Sequence, residues 1–107
     1  MVRVLSCKGP DASMEVYLPK TAANGAGSVL EKLHGNVTGR YVLDLTAAGK
    51  GKIIEPVHIR PTPDRKAIVV DQFTRKLPPT TIPVAGGRVD FDNRFGTAAQ
   101  CGPFNSG

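Results

Sequence analysis

Two cysteines have the most definite chemistry in this sequence, because oxidation would join them across almost the whole chain. Cys7 lies in the first strand-like segment and Cys101 near the end of the 107 residues. In the loop-entropy model, a disulfide closing so long a loop stabilises a domain by about 4–5 kcal/mol. We predict this disulfide, and with it export to an oxidising compartment, periplasmic or secreted. The alternative is a cytosolic protein with two buried thiols.

A second set of candidate groups consists of two carboxylates and a histidine. Asp90 and Asp92 stand two positions apart on one strand face, where neighbouring acids can raise one pKa and support acid–base catalysis. With His58 they form a weak polar cluster that a small enzyme or ligand-binding barrel could use. Arg88 and Arg94 alternate with the same acids and favour ordinary surface charge pairing. Since no local catalytic motif accompanies these residues, we predict no catalytic residue.

The sequence offers little for a metal or cofactor. A zinc site needs three or four Cys, His or carboxylate ligands at a recognisable spacing. His34 and His58 are the only histidines, and both cysteines are assigned to the disulfide. The glycine groups at 25–27 and 49–51 do not connect a strand to a long helix, so they are not phosphate loops. We therefore predict no metal and no cofactor.

The excess of basic over acidic residues is the main indication of what the protein binds. Fourteen Lys and Arg against nine Asp and Glu give a net charge of +5, which favours anionic partners at low salt. An OB-like barrel that binds single strands would interleave aromatic residues with these cations. Here most of the aromatic residues fall on apolar faces, where they are expected in the core: Tyr17, Tyr41, Phe73, Phe91 and Phe95. Nucleic-acid binding is therefore an alternative and not the leading interpretation.

The predicted binding surface combines cations that flank strands with a stiff, proline-rich segment. Restricted segments lose little conformational entropy on docking, which suits them to partner recognition. The candidate residues are Lys50, Lys52, Arg60, Arg65, Lys66, Arg75, Lys76, Leu77, Pro78, Pro79 and Ile82.

The elements that must position all these groups are strands, because apolar and polar residues alternate along much of the sequence. This alternation predicts about seven short strands. The predicted strands cover residues 2–8, 14–18, 39–45, 52–60, 67–73, 80–84 and 88–95. We expect strand 67–73, the most apolar, to be central, and Pro83 to confine its strand to an edge. The tail from Gly96 is expected to be irregular. Residues 28–33 are predicted to form either a single helical turn or a strand, and at most one short helical turn is expected in the chain.

These observations predict one all-β domain over residues 1–107, an antiparallel barrel or sandwich. No segment approaches the roughly 20 apolar residues that span a bilayer. The leading interpretation is an exported, non-enzymatic domain that binds another protein, in an inhibitor-like role, or an anionic partner, with its signal peptide already removed. The alternatives are an OB-like nucleic-acid-binding barrel and a small ligand-binding or enzymatic barrel.

Overall fold

The computed structural model describes the chain over residues 1–19, 37–75, 78–89 and 99–104. This part of the protein is all-β, with one short 3₁₀ turn at Thr46–Ala48. The eight strands are β1 (Val2–Lys8), β2 (Ser13–Leu18), β3 (Val37–Asp44), β4 (Lys52–Pro61), β5 (Ala67–Asp71), β6 (Thr80–Pro83), β7 (Gly87–Val89) and β8 (Ala99–Cys101). They form one antiparallel, nearly closed sheet in the order β6-β5-β4-β3-β2-β1-β8-β7, which confirms the predicted fold class.

The sheet curls because its two edge strands are consecutive in sequence. Only residues 84–86 separate β6 from β7, so the two edges must lie close together. Gly86 donates its N–H to the Pro83 carbonyl at 2.9 Å, and Phe104 donates to the Val84 carbonyl at 2.8 Å. Gly86 has a φ of +81°, and a Cβ there would lie 2.7 Å from the carbonyl oxygen of Cys101. Only glycine fits this closing turn.

The strand register gives every strand one inward and one outward face. Paired residues share a face, so the partners Leu43 and Ile53 point inward together with Met14. An irregularity in β1 between Arg3 and Leu5 turns two successive residues into the core. The buried apolar residues are Val4, Leu5, Cys7, Ala12, Met14, Val16, Leu18, Tyr41, Val57, Ile59, Ile68, Val70, Ile82, Val89, Ala99, Cys101 and Phe104.

The predicted disulfide is present between Cys7 and Cys101, which lie directly opposite each other on β1 and β8. Both cysteines are buried in the core. The register between these strands contains one other pair, Lys8 with Gln100, so the covalent bond supplies much of their connection. A disulfide-bonded pair fits an oxidising compartment.

Two expectations about individual elements are wrong, one is confirmed, and two concern residues outside the described part of the chain. The tail was expected to be irregular, but residues 99–101 form β8, a strand too short for alternation to reveal. Strand 67–73 is not central, because β5 lies beside the edge strand β6 and apolar content does not encode strand order. The edge position of the strand that contains Pro83 is confirmed. The predicted helical turn at 28–33 and positions 90–95 lie outside the described residues.

Removing the disulfide should destabilise the protein strongly. The bond closes a loop with a sequence separation of 94, so the double variant Cys7→Ala/Cys101→Ala is expected to lose about 2–5 kcal/mol of unfolding free energy. Urea denaturation of this variant, compared with the wild type with and without reductant, measures the loss. Equal unfolding midpoints for all three samples would contradict this prediction.

A second stability prediction concerns Gly39, where β3 passes close to β2. A Cβ at this position would lie 2.5 Å from the Tyr17 carbonyl oxygen and 2.8 Å from Cδ2 of Leu18. Gly39→Ala must therefore shift backbone, and should lower the unfolding free energy by about 1–3 kcal/mol. Gly51→Ala is the matched control, since a Cβ there meets nothing within 4 Å. Similar denaturation curves for both variants would refute the close approach.

Candidate binding surface

The outer face of strands β2, β3 and β4 carries side chains that are apolar or aromatic yet accessible. Ile54 is 63% exposed although it lies within a ten-residue strand, and Met1 is 52% exposed beside it. Two shallow depressions of about 340 and 350 Å³ share Met1, Arg40 and Ile54 in their walls. We define the outer-face patch as Met1, Tyr17, Arg40, Val42, Ile54 and Pro56.

Strand register places these residues together. Tyr17 of β2 lies opposite Arg40 of β3, and Val42 lies opposite Ile54 of β4. Side chains directly opposite on neighbouring strands have their Cβ atoms about 4.5–5.5 Å apart, close enough to form a continuous surface. The next residue on β3, Tyr41, points the other way and is 1% exposed. The patch is therefore held on a rigid sheet whose reverse side is core.

Glu15 organises the charges at one border of the patch. Its carboxylate accepts a hydrogen bond from Nη1 of Arg3 at 3.0 Å and another from the Tyr17 hydroxyl. Burial raises the pKa of Tyr17, and the charge and hydrogen bond of Glu15 act in the same direction, while Arg3 opposes them. Arg3 and Glu15 thus largely neutralise each other.

Arg40 is the cation at the centre of the patch. Its side chain is exposed, and its partners on the neighbouring strands are Tyr17 and Pro56, neither of which carries a negative charge at neutral pH. Among the described residues, no carboxylate lies within ion-pair distance of it. An exposed guanidinium surrounded by apolar surface is suited to receive an anionic group from outside.

The structure separates the cations of the predicted surface. Lys50 and Lys52 lie at the β3–β4 connection, whereas Arg65 and Lys66 lie in the turn after β4, with Arg60 on the outer face near that end. At about 3.3 Å per residue, the eight residue steps along β4 from Lys52 to Arg60 separate the two groups by about 26 Å. The predicted cations therefore do not form one continuous site.

Two carboxylates hold the connections that carry these cations. The Thr46 hydroxyl and backbone N–H both donate to Asp44 and lower the pKa of its carboxyl. The Lys66 N–H and the Thr62 hydroxyl do the same for Asp64. These hydrogen bonds define the local turns, so the neighbouring lysines extend from ordered connections.

The remaining residues of the predicted surface fall in different environments. Ile82 is 1% exposed and belongs to the core, so its place on a binding surface was wrong: on β6 it points inward opposite Ile68. Pro78 and Pro79 are exposed. Lys76 and Leu77 lie outside the described residues.

Arg75, another predicted binding residue, is engaged in an internal contact. Its Nε lies 2.7 Å from Oε2 of Glu55, whose other oxygen accepts a hydrogen bond from Gln72 at 2.7 Å. Glu55 stands on the inward face of β4 between apolar residues, and its side chain is only 10% exposed. This contact fastens the end of β5 to β4, which is a structural role for Arg75.

His58 lies on the outer face of β4, where its ring stacks on Phe73 with centroids 3.9 Å apart. Phe73 is 44% exposed, contrary to the expectation of a core position. The reason is that β5 ends at Asp71 and a turn follows, so alternation no longer determines the direction of residue 73. Asp90 and Asp92 lie outside the described residues, and the weak polar cluster stays a prediction.

Within residues 1–19, 37–75, 78–89 and 99–104, no three His, Cys, Asp or Glu side chains are grouped to hold a metal ion. The same ranges contain no helix with the length and hydrophobicity needed to cross a lipid bilayer. Comparison with protein-family models, curated proteins and solved structures finds no match to this chain.

Sequence reasoning missed the outer-face patch, although a signal was present. Val42 and Ile54 are apolar residues at positions where alternation requires outward, polar side chains. An apolar residue out of phase with its strand marks exposed hydrophobic surface. Recognising it requires the inward face to be known first, and the register supplies that.

The Tyr17–Glu15 contact makes a prediction about pH. Because the pKa of Tyr17 is raised, its contribution to stability is present below the ordinary tyrosine pKa and is lost as pH rises through the folded-state value. Glu15→Gln should move the pKa of Tyr17 down towards the ordinary value, as measured by NMR titration of the ring carbon that bears the hydroxyl. Tyr41 provides the internal control, and an unchanged Tyr17 titration in the variant would contradict the contact.

Proposed function

We propose that this protein is an exported, non-catalytic domain that binds a protein partner through the outer-face patch. The observation that carries the proposal is the exposure of Ile54 in the middle of a rigid sheet, next to Val42, Tyr17 and Arg40. Contiguous exposed apolar surface commonly marks an interaction site. Covering one isoleucine side chain contributes about 1.5–3 kcal/mol, which gives the patch a reason to be occupied.

The form of the patch favours recognition over chemistry. Its residues come from three adjacent strands whose inward neighbours are buried, so little backbone entropy is lost when a partner docks. Its polar groups are the Arg40 guanidinium and the Tyr17 hydroxyl, and the raised pKa of Tyr17 disfavours that hydroxyl as a nucleophile or base at neutral pH. The disulfide supports export, since such bonds persist outside the reducing cytosol.

One observation favours the nucleic-acid alternative. Tyr17 lies between Arg3 and Arg40 across the strands, which is the interleaving of cations and aromatics that the sequence had not predicted. However, Glu15 already pairs with Arg3 and accepts a hydrogen bond from the tyrosine hydroxyl, so a phosphate backbone would gain little from either group. Protein binding is therefore the better supported function.

Site-directed photo-crosslinking tests the proposal. The chain is produced in its native host with p-benzoylphenylalanine in place of Ile54, or in place of Thr81, an exposed residue on the outer face of β6. Position 54 should give one dominant protein adduct that an excess of unlabelled chain competes away, and position 81 should not. Absence of an adduct from position 54, or the same adducts from both positions, would overturn the proposed function.

A further inference from the structure

We infer that the partner is an acidic protein segment that places a carboxylate on Arg40 and an apolar side chain against Ile54. This inference rests on the proposed function and specifies the chemistry of the partner. Arg40 and Ile54 line both depressions of the patch, so a ligand in either one meets a cation and an apolar wall together. The two volumes lie at the low end of the roughly 300–1,000 Å³ of ligand pockets, which suits individual side chains.

Charge complementarity identifies the anionic group. Arg40 has no carboxylate within ion-pair distance in the described part of the chain, whereas Arg3 is neutralised by Glu15. A guanidinium can bind a carboxylate through two parallel hydrogen bonds. Tyr17 and Pro56 flank Arg40 on either side, and a docked partner would exclude water there and strengthen the charge interaction. The net charge of +5 steers acidic partners towards the protein.

The same charges argue against other occupants. A second copy of this chain would bring the same net charge of +5 and its own Arg40 to the interface. Anionic membranes are recognised by clusters of about four to eight Lys or Arg, whereas this patch presents one cation without a nearby carboxylate. A nucleic-acid strand needs several cations along its phosphates, whereas Arg3 is already paired with Glu15. A protein segment needs only one carboxylate for Arg40, and its apolar side chains can lie against Val42 and Ile54.

The probe for the test is a blocked peptide of three Asp-Leu repeats, titrated into the intact ¹⁵N-labelled chain and followed by NMR. Amide shifts should concentrate at residues 17, 40, 42 and 54. The matched Asn-Leu peptide lacks the charge, and the Asp-Gly peptide lacks the apolar side chain. Each control peptide should therefore bind with an affinity lower by about tenfold or more. Binding of the Asp-Leu peptide should also weaken as salt concentration rises.

Substitutions in the protein test whether the peptide binds at Arg40 and Ile54. Arg40→Gln and Ile54→Ser should each weaken Asp-Leu peptide binding about tenfold or more. Arg88→Gln is the matched control, because Arg88 is an exposed arginine on the outer face of β7 and its loss changes the net charge equally. It should leave the affinity within about twofold, since distant surface charges are screened. Amide spectra of the free variants verify that each one is folded.

Several outcomes would overturn the inference. Equal affinities for the Asp-Leu and Asn-Leu peptides, or equal losses of peptide affinity in Arg40→Gln and Arg88→Gln, would do so. Absence of localised amide shifts at millimolar peptide would also overturn it. So would tighter binding of phosphatidylserine vesicles or oligo-dT than of the Asp-Leu peptide. Photo-crosslinking from position 54 in the Arg40→Gln variant distinguishes a failure of the acidic-partner inference from a failure of the proposed protein binding. An undiminished adduct there would refute the acidic partner while leaving partner binding intact.

Discussion

The covalent joining of β1 to β8 is the constraint on which the rest of the fold depends. β8 has three residues and its register with β1 contains two residue pairs, one of them the cysteines themselves. In the described part of the chain, β7 pairs with β8, and the turn from β6 to β7 brings the two sheet edges together. Without the cross-link, these short segments would have to be ordered by very few ladder hydrogen bonds. Among the described residues, the shortest ladder between neighbouring strands is therefore the one that is also bonded covalently.

Closure also determines the outer surface. Once alternate residues of β2, β3 and β4 fill the interior, the residues between them must face outward whatever their polarity. Val42 and Ile54 are carried outward in this way, and Arg40 and Tyr17 lie beside them. The surface proposed for recognition is therefore a direct result of strand phase, and its rigidity comes from the core behind it.

Alternation predicted the all-β class and most strands, because short-range periodicity reflects burial on one face of a sheet. The disulfide could be predicted from two cysteines that bracket the domain. Strand order could not be predicted, so the expectation that strand 67–73 is central is wrong. The expectation that Ile82 lies on the surface is wrong because Ile82 faces inward on β6. Phe73 was assigned to the core because a pattern was extended beyond the end of its strand. The outer-face patch needed the inward phase of three strands at once, information that no single segment contains.

The short edges of the sheet have a further consequence, for behaviour at high concentration. β6 has four residues and includes Pro83, which has no N–H to donate, and β7 has three. Long, flat edge strands act as templates for foreign chains, and proteins commonly guard against this with brevity and proline. At these two edges, which a three-residue turn joins, there is little length for strand pairing with another molecule. The short turn and strands that bring the two edges together thus also disfavour the addition of a foreign strand at β6 and β7.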